Sequence, residues 1–136
     1  MTRADELLAL AERVEALGGP DREVDAEIAL ALGIVRERDG NCFYGHRDFS
    51  MMVLERGYYD HDGSAPELSA YTASLDAAMT LVPEGMCWRT ACFPRGQGVA
   101  SAMVEGGPER MAATPALALT AAALRARAAI ETGAAA

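Results

Sequence analysis

Lysine is absent. All 12 basic residues are arginine, set against 20 acidic ones, for a net charge of −8. That balance excludes a phosphate-binding surface spread over the whole chain, because free nucleic acid is repelled at long range, while leaving room for a local arginine cluster. Alanine-rich composition with arginine in place of lysine is a mark of GC-rich coding and carries no mechanism. Aromatic residues are scarce too, at 6%. The core therefore has few large anchors and relies on small residues in closely approaching helices. Three cysteines, Cys42, Cys87 and Cys92, make an odd count without framework spacing. This excludes a disulfide scaffold and fits free thiols in a reducing cytosol. No apolar run approaches the length of a membrane span. The chain opens into a charged amphipathic segment, so no secretory signal is expected and a cytoplasmic location is.

What is present reads as a single domain over 1–136. Its 136 residues are 51% hydrophobic, enough to bury about two-thirds of the unfolded surface in one core. The organising stretch is 71–89, YTASLDAAMTLVPEGMCWR. Thr72 or Ser74 can cap a helix there, with Asp76 in its first turn. Leu75, Met79 and Val82 give that helix an apolar face, and Pro83 with Gly85 stops it. The segment 86–93 then alternates as a strand. Trp88 shares one face with Met86, Thr90 and Cys92, and is expected to be largely buried with its indole N–H bonded. A five-residue connection over 94–98 and a return strand over 99–105 complete a hairpin, which Gly106, Gly107 and Pro108 break.

Helices flank this centre. Over 3–17 the stripe is Leu7, Leu10, Ala11, Val14 and Leu17, with Glu6, Glu12, Arg13 and Glu15 largely off it. A second helix starts at Pro20, carries Val24, Ile28, Ala31 and Leu32 inward, and closes at Gly33. Thr114 and Pro115 are a cap and first position for the last helix, whose buried face is Leu117, Ala121, Leu124 and Ala128. Arg125 and Arg127 are placed to meet its negative end. Between 34 and 70 the pattern weakens. Asp39-Gly40-Asn41 and Asp62-Gly63-Ser64 signal turns, a strand is expected over 51–59, and a loop over 60–66.

The chemistry-bearing residues assemble no known constellation. Cys42, His46, His61, Asp62, Cys87 and Cys92 lack zinc spacing, and an offset of five in a strand sets Cys87 and Cys92 on opposite faces. Asp60-His61-Asp62-Gly63 lacks the remaining oxygens of a calcium loop. His46-Arg47-Asp48 matches a kinase loop only as a tripeptide. Gly96-Gln97-Gly98 precedes a strand, so it is a hairpin turn and no dinucleotide fingerprint. Ser74 and Ser101 have no nucleophile-elbow context. An enzyme would need His46, Asp48, Asp60, His61 and Asp62 to converge in a pocket. Without such convergence no catalytic residue, metal or cofactor is expected. Phe43, Tyr44, Tyr58 and Tyr59, with Arg47 and Arg56 near them in sequence, read either as core aromatics with solvated arginines or as a recognition surface, since paired tyrosines next to a loop are common at interfaces.

Three pieces, DREVDAEIALALG at 21–33, YTASLDAAMTLVPEG at 71–85 and ATPALALTAAALRARA at 113–128, resemble the small phage and prophage proteins with a phage α-β-α sandwich domain. The resemblance implies helices covering a sheet and a phage setting, and it carries no catalytic residue across. It leaves 34–70 as the variable region. The expected fold is thus α+β: an antiparallel sheet packed by helices in an α-β-α sandwich, with two N-terminal helices, one central helix and one C-terminal helix. The expected function is non-enzymatic binding of a host or phage protein, as an antagonist of a bacterial defence system. The alternative is a sponge for a nucleotide immune signal, or a structural accessory protein of the phage. In the sponge, Arg47, Arg56, Arg89 or Arg95 would pair phosphates and a tyrosine would stack on the base. The residues expected to bind are Tyr44, Arg47, Arg56, Tyr58, Tyr59, Arg89 and Arg95. No direct nucleic-acid binding is expected, and the small residues of the last helix would allow a homodimer.

Overall fold

The computed structural model describes residues 2–33, 35–38, 41–44, 69–92 and 99–133. Their elements are α1 (Arg3–Ala16), α2 (Arg22–Ala31), β1 (Val35–Arg38), β2 (Asn41–Tyr44), α3 (Leu75–Met79), β3 (Trp88–Cys92), β4 (Ala100–Val104), β5 (Arg110–Ala112) and α4 (Pro115–Glu131). The fold is α+β, with helices packed on an antiparallel sheet. The chain divides into two units, Met1–Asp21 with Ala70–Ala136, and Arg22–Ser69.

The first unit is built around α4. Thr114 caps it, its side-chain oxygen accepting the Leu117 N–H at 3.2 Å, and Pro115 occupies the first turn. The expected stripe of Leu117, Ala121, Leu124 and Ala128 is buried, but so is every residue from Ala116 to Leu124. A helix apolar all round must be covered all round. Here α1 and α3 pack against α4, as do the strands β3, β4 and β5. The centre of this unit is therefore α4 and not the 71–89 stretch. Thr120, the polar residue within the buried run, donates its hydroxyl to the Tyr71 carbonyl at 2.9 Å. The alanines let neighbouring backbones approach closely within the unit, so they give no argument for a homodimer.

α1 opens with a reciprocal capping box. The Thr2 hydroxyl accepts the Asp5 N–H at 3.1 Å, and the Asp5 carboxylate accepts the Thr2 N–H at 3.2 Å. The Thr2 hydroxyl also donates to the Asp5 carboxylate, at 2.8 Å, and with the Thr2 N–H it holds the Asp5 carboxyl below its ordinary pKa. Leu7, Leu10, Ala11 and Val14 are buried as their spacing predicts, with Ala4 added at the start, while Leu17 caps the end half-buried.

α3 is shorter than its pattern suggests. Ser74 is the cap, accepting the Ala77 N–H at 3.3 Å. Thr72 is buried instead and bridges to Asp21, accepting its N–H at 2.9 Å and donating to its carbonyl at 3.2 Å. The expected apolar face is displaced: Ala78 and Leu81 are buried, Leu75 and Val82 are half-buried, and Met79 is exposed. Five residues are too few to sustain a helical stripe, so flanking turns supply the contacts. Gly85, at φ +84°, takes the left-handed turn required after the helix stops.

The sheet has the order β3-β4-β5, antiparallel throughout. The hairpin register sets Trp88 opposite Val104, Thr90 opposite Ala102 and Cys92 opposite Ala100. The strand begins two residues later than expected because the Met86 N–H still bonds the Pro83 carbonyl, at 3.1 Å, in the turn. β5 was not anticipated: Gly106-Gly107-Pro108 ends one strand but delivers the chain into another. Gly106 sits at φ +83°, and the Gly107 N–H closes the turn on the Val104 carbonyl at 2.9 Å. Trp88 departs from expectation in being half-buried, and no described residue accepts from its indole N–H. Among the described residues β4 is the one strand paired with β3.

In the second unit α2 begins at Arg22, past Pro20, and Gly33 at φ +74° follows its end. Val24 and Ile28 are buried as expected, while Ala31 and Leu32 are half-buried. Asp25 is fully buried and meets the Arg22 guanidinium at 3.0 Å. β1 and β2 pair antiparallel with Val35 opposite Tyr44 and Arg38 opposite Asn41, so strands flank the first turn signal. The strand expected over 51–59, the loop over 60–66 and the connection over 94–98 lie outside the described residues.

Candidate functional site

Two surfaces of the first unit carry functional side chains. The first is the sheet face turned away from α4. Alternation along β3 and β4 puts Ala100, Ala102 and Val104, all buried, on the helix side. Arg89, Ala91, Ser101, Met103 and Met111 share the other side, with Arg89 opposite Met103 and Ser101 opposite Met111. Arg89 is exposed, and its guanidinium lies 3.8 Å from the Met103 sulfur. Among the described residues no carboxylate pairs with it. A depression of about 220 Å³ is lined by Cys87, Trp88, Arg89, Met103 and Glu105. A second, of about 200 Å³, continues over Ala91 and Ser101 to Glu109. Met111 is 46% exposed on this face.

The second surface begins with a clasp. Glu15 Oε1 accepts from Arg125 at 2.7 Å, while Oε2 accepts the Nε–H groups of Arg125 and Arg110, each at 3.0 Å. One carboxylate thereby joins α1, β5 and α4. Burial pushes the Glu15 pKa up, but the hydrogen bonds and charges of Arg125 and Arg110 outweigh it and leave the pKa below its ordinary value. Its hydrogen bond to Glu15 raises the pKa of Arg125 further. Arg110 and Arg125 also border a cavity of about 270 Å³, whose other walls include Ala122, Ala126, Ala129 and Pro108. Arg127 donates from Nε to the Leu81 carbonyl at 2.6 Å, and burial holds its pKa below the ordinary arginine value. Neither Arg125 nor Arg127 serves the helix end as expected. α4 continues to Glu131, its last turn contains no basic residue, and both arginines have partners elsewhere.

Of the residues expected to bind, Arg89 is the one whose side chain is described. Tyr44 ends β2, opposite Val35, in the second unit. Arg47, Arg56, Tyr58, Tyr59 and Arg95 lie outside the described residues, as do His46, Asp48, Asp60, His61 and Asp62. Sequence reasoning missed Glu15 and Arg110. The departure of Glu15 from a fully polar face, one position after buried Val14, was the available signal. Cys87 and Cys92 are exposed free thiols. Ser74 serves as a helix cap, and Ser101 is buried in β4. Among the described residues no group of three or more His, Cys, Asp or Glu side chains is placed to hold a metal ion. No helix among them is long and apolar enough to cross a membrane. Comparison with protein-family models, curated proteins and solved structures finds no match to this chain.

Proposed function

We propose that the chain works by binding a protein, without catalysing a reaction, through the Arg89–Met103 face of its three-stranded sheet. The observation that carries this reading is Arg89, an exposed guanidinium lying on Met103 beside the depression that Trp88 borders. An antiparallel sheet can keep one face in water without any partner. A solvated face, however, is ordinarily polar, whereas this one presents Met103 and Met111 around one arginine, with Trp88 at its border but turned to the Val104 side. Tryptophan, arginine and methionine are the residues enriched where proteins meet. The occupant is a protein segment that seats an apolar side chain against Met103 and Met111 and brings a carboxylate to Arg89.

The phage setting, and antagonism of a bacterial defence system as the use of this binding, rest on the resemblance of the segments 21–33, 71–85 and 113–128. The test is capture from bacterial lysate by the immobilised chain, followed by purification of the captured protein. Its affinity is then measured for the unaltered chain, for Arg89→Glu and for Met103→Lys. Binding that is lost in both variants, and restored to Arg89→Glu by an acid-to-arginine change in the partner, supports the reading. Equal binding by all three overturns it. So does a cyclic oligonucleotide that raises the melting temperature of the unaltered chain but not of Arg89→Gln, which would favour the nucleotide signal.

A further inference from the structure

We infer that the cavity between the C-terminal half of α4 and the β4–β5 turn is a binding site for a small organic carboxylate. Its negative group would meet Arg110 and Arg125, and its short apolar body would lie on Ala122, Ala126 and Ala129.

The size of the space is the first ground. The space is a partly open hollow, with exposed Glu105, Gly106 and Pro108 at its rim. At about 270 Å³ it exceeds by several-fold the roughly 30 Å³ that one water occupies in the liquid. It is still below the roughly 300–1,000 Å³ of pockets for drug-sized ligands. The space arises from sequence. Ala122, Ala126 and Ala129 recur on one face of α4, where leucine at the same positions would fill the gap. The wall they make is apolar, so it suits a hydrocarbon better than a chain of waters.

The arginines supply the second ground. An arginine has five N–H donors in a planar fork. Glu15 takes one from Arg110 and two from Arg125. The rest have no acceptor among the described residues. Two guanidiniums stand here with two carboxylates, Glu15 between them and Glu105 on the cavity rim, so it is the unused donors and not a surplus of charge that recommend the site. Glu105 Oε1 also accepts the Cys87 N–H, just before β3, at 3.5 Å. Glu12, the other carboxylate acting on Arg125, is exposed and screened by water. The unused guanidinium donors suit one carboxylate. Glu15 fixes the orientation of both forks beforehand, so a ligand carboxylate would meet donors already ordered.

The experiment is a thermal-shift and calorimetric titration of the full chain with butyrate at constant ionic strength. Butyramide serves as the neutral isostere and inorganic phosphate as the alternative anion. Butyrate should bind and raise the melting temperature, while butyramide should do neither. Ala126→Leu fills the cavity without touching either arginine. It should melt at or above the unaltered chain and bind butyrate at least about tenfold more weakly. Ala129→Val serves the same purpose if Ala126→Leu does not fold. No response to butyrate, an equal response to butyramide, or undiminished binding in a folded cavity-filling variant overturns the site. Tighter binding of phosphate than of butyrate overturns the assignment to carboxylates.

Discussion

Glu15 and Arg125 lie 110 positions apart in the sequence and meet through a 2.7 Å hydrogen bond between Oε1 and a terminal guanidinium nitrogen. With Arg110 on the other oxygen, this pair fixes the first helix to the last and to the third strand of the sheet. The clasp is half-buried, between the exposed pairs that contribute about 0–1 kcal/mol and the buried ones whose disruption costs about 3–5 kcal/mol. Glu15→Gln should therefore lower unfolding stability by about 1–2 kcal/mol, leaving two arginines without their anion. Urea denaturation measures this. An unchanged midpoint would mean that the clasp is ornamental.

The same group sets a pH dependence. The folded-state pKa of Glu15 is depressed below its unfolded value, so its contribution is fully present above the unfolded pKa. It is lost as pH falls through the folded pKa. Asp5 shifts in the same direction through its hydrogen bonds with Thr2. Stability should fall as pH drops from about 6 towards about 3, and the fall should be shallower in Glu15→Gln. Parallel pH profiles for the two proteins would contradict this.

α4 carries the core. Leu119 is fully buried, and Leu119→Ala should cost about 2–5 kcal/mol through lost burial and the cavity left behind. Calorimetric unfolding gives the number. A loss below about 1 kcal/mol would show that the site collapses around the smaller side chain.

Much of this core was legible in the sequence, and the reason is local chemistry. Thr114-Pro115, Ser74 and Gly85 act through their nearest neighbours, so their roles could be read in place. The hairpin of β3 and β4 was legible for the same reason. The all-round burial of α4 was not, because alanine is compatible with either side of a helix and blurs the stripe. β5 was missed because Arg110–Ala112 is too short to alternate and stands between two break signals. The clasp joins residues distant in sequence, and no periodicity reports such a contact. At the candidate sites, Arg89 could be placed on the exposed face of β3 from alternation alone. The size of the cavity could not be foreseen, since it depends on how β5 lies against α4.

Cys87, just before β3, and Cys92, its last residue, are exposed thiols, and both should react with a maleimide in the folded chain, as peptide mass spectrometry can verify. Cys87 borders the depression beside Trp88, so a bulky adduct there should block the partner, while one at Cys92 should leave binding intact. Equal inhibition from both positions would place the contact elsewhere.

The most direct test of protein binding through the Arg89–Met103 face of the sheet is the dissociation constant of the purified partner for Arg89→Glu, compared with Arg3→Glu. Arg3 lies on α1 and pairs with Glu131, so its reversal alters the net charge equally without touching the sheet. Arg89→Glu should bind at least about tenfold more weakly, a loss of about 1.4 kcal/mol, with its melting temperature unchanged, and Arg3→Glu should bind as the unaltered chain does. Equal dissociation constants for the two reversals would contradict the account.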